Sequence, residues 1–119
     1  MSFKFAFKGL GDLFRSQVNA KIHLGAALLC IGLGAYFQLS SIEWCFVTLS
    51  IFSVLAAEAF NTALEYLTDL VSPDFNELAG RTKDVAAAGV LLTTMGALGV
   101  GLFIFLPKFY HLYVELTVG

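Results

Sequence analysis

Charge is the property this 119-residue sequence has least of. Only 13% of its residues are charged, whereas 58% are hydrophobic and the mean hydropathy is +0.81. Soluble domains carry about 25% charged and about 45–50% apolar residues, so the composition excludes an ordinary soluble domain. Proline is rare, at two residues, but phenylalanine and glycine are abundant, so the chain is neither disordered nor of low complexity. We therefore expect a small all-α membrane protein with a single domain over residues 1–119.

Cysteine and nucleotide-binding motifs are scarce as well. Cys30 and Cys45 lie in apolar runs and form neither a C-x-x-C pair nor a Cys/His set at metal-ligand spacing. The sequence has no G-x-x-x-x-G-K-S/T motif, which excludes the phosphate loop of soluble nucleotide-binding proteins. The seven basic residues form no dense stripe, so we expect no nucleic-acid partner.

Three apolar stretches are long enough to cross a bilayer, whose core needs about 20 residues of helix. They cover 22–39, 42–69 and 85–106, and Pro107 is predicted to end the third. Six of the seven basic residues lie before the first span or between the second and third. Because basic residues favour the cytoplasmic side, the N-terminus and the second loop are predicted to be cytoplasmic.

An amphipathic pattern precedes the first span. Phe3, Phe7, Leu10 and Phe14 recur at helical spacing and form one apolar stripe of a helix over about 3–16. Its basic residues fall on another side, as in helices that lie in the membrane interface. The alternative is a helix that only packs on the spanning bundle.

Polar residues interrupt the second span at its predicted cytoplasmic end. Four of them share one helical face: Glu58, Asn61, Glu65 and Asp69. An unpaired acidic residue at membrane depth costs about 2.5–3.5 kcal/mol, and such a residue is a functional-site hypothesis by default. Carboxylate and amide oxygens suit Mg²⁺, which takes one or two protein carboxylates and completes its shell with water and substrate phosphates.

The loop over 70–84 is the most polar part of the chain. Arg81 and Lys83 could bind phosphates there, and Asp84 is predicted to cap the third span as its N-cap. Half of the sixteen charged residues, from seven basic and nine acidic ones, fall within 58–84. The charge that this chain retains is therefore gathered at one predicted membrane edge.

Non-enzymatic readings of the same residues remain open. Glu58 or Glu65 could pair with Lys83 or Lys21 and only hold helices together. A small transporter or assembly subunit could use Glu58 as a proton or cation site. The polar loop favours an enzyme, because a carrier does not need clustered Asp, Asn and Lys beside its carboxylates. His23, at a span boundary, is expected to be an interfacial residue rather than a ligand.

The spacing of these polar residues resembles a known family. The block E-x-x-N-T-A-L-E at 58–65, then Asp69, then E-L-A-G-R-x-K-D at 77–84, resembles the prokaryotic diacylglycerol kinases, which include the undecaprenol kinases. The likeness extends to F-K-G-L at 7–10 and N-A-K-I-H-L at 19–24, and so covers nearly the whole chain.

The resemblance implies a homotrimer in the bacterial inner (cell) membrane, with a surface helix and three spans per protomer. It implies Mg²⁺- and ATP-dependent phosphorylation of a membrane lipid alcohol, at a site between protomers. Glu58 would be the base, Asn61 a positioning residue and Glu65 a Mg²⁺ ligand. The nucleotide contacts that it implies are Asp74, Phe75, Asn76, Lys83 and Asp84.

One position departs from the family. A second metal-binding glutamate usually precedes the first span, and Gln17 stands there in this sequence. The chain could therefore be a catalytically impaired, lipid-binding member. The acceptor is also open between undecaprenol and diacylglycerol: D-L-V-S-P at 69–73 is closer to the undecaprenol branch, whereas E-L-x-G-R at 77–81 resembles the other. We favour undecaprenol.

Overall fold

The fold is built from helices alone over the part of the chain that the structure describes. The computed structural model describes residues 2–119. Its helices are α1 (Phe3–Ser16), α2 (Val18–Phe37), α3 (Ser41–Val71) and α4 (Glu77–Val118). Three of them, α2, α3 and α4, are long and apolar enough to cross a membrane. The predicted all-α class is confirmed, as is the presence of three helices that are long and apolar enough to span a membrane.

Helices α3 and α4 form a long antiparallel hairpin, which is the most extensive packing in the chain. An ion pair joins them near each end: Lys108 Nζ lies 3.1 Å from Glu43 Oε2, and Lys83 Nζ lies 2.5 Å from Asp69 Oδ1. The two paired positions on each helix are separated by about 38 Å, at about 1.5 Å per residue. These matching lengths set the register of the hairpin.

The start of α4 lies earlier than predicted. Asp84 was expected to cap the third span, but the helix begins at Glu77 and Asp84 is inside it. Asn76 is the N-cap, because its Oδ1 accepts hydrogen bonds from the backbone N–H groups of Leu78 and Ala79. The prediction placed the cap at the start of the apolar run. The observed cap satisfies the first free N–H groups about two helical turns earlier, in a polar segment.

The end of α4 was also predicted wrongly. Pro107 does not terminate the helix, which continues to Val118. A proline inside a helix removes one backbone hydrogen bond and disfavours the preceding turn. Contacts just beyond Pro107 stabilise the continued helix. Lys108 pairs with Glu43 in the first turn of α3, and the Phe109 ring packs edge-on to Phe37 at a centroid distance of 5.0 Å.

A small apolar core lies at the end where α2 turns into α3. Its buried members are Leu39, Val47, Ile104 and Phe105. Most other large apolar side chains are exposed, and only 6–17% of the most apolar window of each spanning helix is buried within the chain. The polar face of α3 lies toward the other end of the molecule, so core and site are separate.

Candidate functional site

The polar face of α3 runs from the interior to the surface. Glu58 and Asn61 are 1% and 8% exposed, Glu65 is half-buried, and the Asp69 side chain is 62% exposed. The Asn61 Nδ2 group donates to Glu65 Oε1 at 3.3 Å, one helical turn on. The predicted shared face is therefore present for these two residues, and it leads from a buried carboxylate to an accessible helix end.

Glu58 is the most deeply buried large side chain among the described residues. Its Oε2 atom has no hydrogen-bond partner there, and the His23 Nε2 atom on α2 lies 3.7 Å from it. Across residues 2–119, neither Lys83 nor Lys21 forms an ion pair with Glu58. The alternative in which lysines merely tie this carboxylate to a neighbouring helix is not observed.

The His23 imidazole lies against the buried Glu58 carboxylate, a contact that the sequence did not predict. Its expected position at the membrane interface stays a prediction. The two residues are far apart in sequence and belong to different helices, so no spacing rule joins them. Only the packing of α2 on α3 brings them together.

A second buried acceptor lies one turn from Glu58. Asn61 Oδ1 also has no hydrogen-bond partner among the described residues. Buried polar atoms are nearly always satisfied, so two unpartnered oxygens on one face call for a ligand, water or ion. Thr62 beside them is self-satisfied, because its Oγ1 donates to the Glu58 carbonyl at 2.9 Å.

The positive side chains after α3 lie at the open end of this face. Lys83 is held by Asp69, and this hydrogen bond is the main reason that the pKa of the Lys83 ammonium is raised. Arg81 lines a groove of about 720 Å³ between α3 and α4, and Asn61 lines the same groove. One groove therefore contacts both a buried amide and an exposed guanidinium.

The short connection before α4 has mixed roles. Asp74 is exposed and Phe75 is 98% exposed, so both side chains are free to contact a ligand. Asn76 is engaged as the helix cap described above, and Asp84 is exposed on the first turns of α4. Of the five predicted nucleotide contacts, Lys83 is the one that contacts the polar face of α3 directly.

Gln17 is half-buried at the junction of α1 and α2. The neighbouring Ser16 lies 3.2 Å from the Tyr66 hydroxyl, which donates to Asp12 Oδ2 at 2.9 Å. Tyr66 follows Glu65, so this cluster ties the end of α1 to the helix that carries the carboxylates. The sequence alone does not predict this cluster, because nothing in the spacing of Asp12 or Ser16 points to residue 66.

Glu65 is the carboxylate on this face that could bind a cation. Within residues 2–119, no three His, Cys, Asp or Glu side chains come together as metal ligands. A single carboxylate oxygen donor suits Mg²⁺, which usually takes few protein ligands and shares its shell with phosphates.

Comparison with known proteins gives the family. Residues 4–105 match the family model of prokaryotic diacylglycerol kinase. Undecaprenol kinase of Bacillus subtilis (strain 168) is 36% identical over 107 residues, which are 90% of this chain and 87% of that protein. Diacylglycerol kinase of Synechocystis sp. is 35% identical over 115 residues, 96% of this chain and 66% of that protein.

A more distant relative agrees with these two. Diacylglycerol kinase of Escherichia coli (strain K12) is 26% identical over 93 residues, 78% of this chain and 76% of that protein. The matches extend over the polar face of α3 and the start of α4 as well as the apolar spans. The chain therefore belongs to the prokaryotic diacylglycerol kinase family and is a lipid kinase with membrane-spanning helices.

Proposed function

We propose that this lipid kinase transfers the γ-phosphate of ATP to the hydroxyl of a membrane lipid alcohol, with Glu58 as the general base. The observation that carries the proposal is the Glu58 carboxylate, which is buried with its Oε2 atom unpartnered, in a helix apolar enough to cross a membrane. Burying an ionisable side chain in a membrane-spanning helix costs free energy, and residues of this kind usually have a functional role. A carboxylate there can accept the hydroxyl proton of a lipid whose head lies at the same depth.

Phosphoryl transfer needs little beyond positioning and charge neutralisation. Asn61, one turn from Glu58, has a free buried carbonyl oxygen that can orient the lipid hydroxyl. Glu58 removes the proton as the oxygen attacks phosphorus, and ADP leaves toward the open end of the α3 face. The polar face thus runs in the direction that the two substrates require, lipid inside and nucleotide outside.

Glu65 and Gln17 would hold Mg²⁺ together with the nucleotide phosphates. Glu65 contributes a half-buried carboxylate on the face between Glu58 and the surface, and the Ser16–Tyr66 contact supports Gln17 at the same end of α3. When bound, Mg²⁺ supplies neutralisation of the negative charge on the phosphate oxygens. Gln17 offers a neutral amide oxygen where a carboxylate would bind a cation more strongly.

The nucleotide would bind over the start of α4. Lys83 and Arg81 supply positive charge for its phosphates, and Asp84 and Asp74 are exposed nearby. Phe75 presents an unburied ring on which a base can stack. Asn76 can contribute its amide Nδ2 group, since its Oδ1 atom is occupied by the helix cap.

A homotrimer would complete the site. The spanning helices leave most of their apolar surface exposed in a single chain, and three helices are too few to enclose a lipid head and a nucleotide. We place the active site between protomers at the inner-membrane surface, with α1 in the interface. The excess of basic residues before α2 and before α4 supports a cytoplasmic position for both segments.

Undecaprenol is the acceptor we favour. The Bacillus subtilis relative is named for that substrate, and it matches with similar coverage of both chains. The Synechocystis and Escherichia coli relatives are named for diacylglycerol. Diacylglycerol is therefore the second lipid alcohol to test.

The test is transfer of labelled phosphate from ATP to each alcohol in mixed micelles. Glu58→Gln should lower kcat by at least about 100-fold, because general base catalysis contributes about 10²–10⁴-fold. Glu115→Gln, the same change at an exposed position near the end of α4, should leave kcat unchanged. Labelling that survives Glu58→Gln would refute the base, and lipid binding without any transfer would support an impaired family member.

A further inference from the structure

His23 and Glu58 form a contact that the proposed reaction has not used. The imidazole Nε2 lies 3.7 Å from Glu58 Oε2, and that oxygen has no hydrogen-bond partner among the described residues. The distance is longer than a hydrogen bond of about 2.7–3.2 Å, so a side-chain movement of less than about 1 Å would close it. The imidazole therefore lies next to the buried, unpartnered oxygen of the base.

Burial makes the fate of the proton on Glu58 a physical problem. The Glu58 side chain is only 2% exposed, so a proton that it accepts from the lipid has little direct contact with water. The neighbouring His23 side chain is 20% exposed, so it is in contact with both this carboxylate and the surface. Within residues 2–119, no Lys or Arg side chain lies within 4 Å of the Glu58 carboxylate.

Few other side chains around His23 could carry the proton away from Glu58. It borders a cavity of about 230 Å³ between α2, α3 and α4 whose lining is almost wholly apolar. The polar members of that lining are Ser50, Cys30 and Thr94, and the Thr94 hydroxyl already donates to the Val90 carbonyl at 2.8 Å. Imidazole is the side chain suited to receive and release a proton near neutral pH.

We propose that His23 resets the base after each transfer, an inference that rests on the proposed role of Glu58. In the transfer, the lipid O–H bond breaks, its oxygen forms the new O–P bond, and the proton moves to the Glu58 carboxylate. Neutral His23 then takes that proton at Nε2, which restores the carboxylate and leaves an imidazolium. The imidazolium releases the proton to water at its exposed edge. His23 acts through Glu58 and is therefore a positioning residue.

The experiment compares His23→Gln with His111→Gln in the mixed-micelle kinase assay. Glutamine keeps a nitrogen donor near Glu58 but cannot carry the proton, and His111 is an exposed histidine on α4 beyond Lys108. We expect His23→Gln to lower kcat at least about tenfold, a smaller loss than that of Glu58→Gln, which removes the base itself. The KM values for ATP and lipid should be unchanged. His111→Gln should leave kcat and KM unchanged.

Chemical rescue separates proton transfer from a structural role. Imidazole added to His23→Ala should restore kcat in a concentration-dependent manner, whereas imidazole should not affect Glu58→Gln. If His23→Gln does not fold, the rescue of His23→Ala by imidazole still tests proton transfer. Circular dichroism in micelles checks the folding of both variants.

The outcomes distinguish this inference from the proposed function. If wild type transfers phosphate, Glu58→Gln does not, and His23→Gln matches His111→Gln, the role of His23 is refuted while Glu58 stands. A loss in His23→Ala that imidazole does not restore would also refute proton transfer. If wild type labels no lipid alcohol, both proposals are overturned.

Discussion

In the proposed site, Gln17 offers Mg²⁺ a neutral amide where a carboxylate would bind the cation more strongly. Its location beside the Ser16–Tyr66 contact keeps it near the polar face of α3. Restoring the charge should therefore strengthen Mg²⁺ binding. We expect Gln17→Glu to lower the Mg²⁺ concentration that gives half-maximal activity, or to raise kcat.

The matched control for Gln17→Glu is Gln38→Glu, which adds the same charge at the exposed turn after α2. Phosphate transfer is measured across a Mg²⁺ titration for both variants. Identical titrations of Gln17→Glu and wild type would show that this position does not bind the cation.

Lys83 belongs to an ion pair that has a counterpart at the other end of the hairpin. We expect Lys83→Gln to raise the KM for ATP about tenfold, since a hydrogen bond to a charged group contributes about that factor. Lys108→Gln removes the opposite ion pair, with Glu43, and should not change this KM. Steady-state kinetics at saturating lipid measures both, and equal KM values would exclude phosphate binding by Lys83.

The turn between α2 and α3 depends on one close approach. A Cβ atom at Gly34 would lie 2.6 Å from the Trp44 ring and 3.0 Å from Leu39. Gly34→Ala should therefore destabilise the protein by about 1–3 kcal/mol through overpacking. Thermal unfolding in micelles, followed by circular dichroism, measures the change.

Gly32→Ala on the same helix is the control for Gly34→Ala. A Cβ there has no neighbour within 4 Å among the described residues, and alanine is a better helix former by about 1 kcal/mol. The control should be neutral or slightly stabilising. Equal unfolding temperatures for the two variants would mean that the Trp44 contact does not limit the packing.

The helical spans could be predicted from the sequence, but the ends of α4 could not. The spans were predictable because apolar runs of about 20 residues have few other uses. The ends of α4 were not, since Asn76 caps it through a local hydrogen bond and residues beyond Pro107 are held by contacts with α2 and α3. A proline or an acidic residue signals a helix boundary only where tertiary contacts do not outweigh it.

At the scale of the whole molecule, exposed apolar surface is the dominant feature. The spanning windows are at most 17% buried within the chain, so lipid or other copies must cover them. We expect light scattering in mild detergent to give three times the 12.9 kDa chain mass. Dissociation in harsher detergent should abolish transfer while helicity remains. Fully active monomers would exclude a site shared between protomers.

The sequence by itself determined the membrane class, the three spans and the polar face of α3, because hydropathy and helical periodicity are local properties of the chain. It also placed Glu58, Asn61 and Glu65 on that face, since residues three and four apart lie together on a helix. Only the tertiary structure decided that His23 meets Glu58 and that Tyr66 joins α1. Contacts between helices depend on register and rotation, which no single helix specifies.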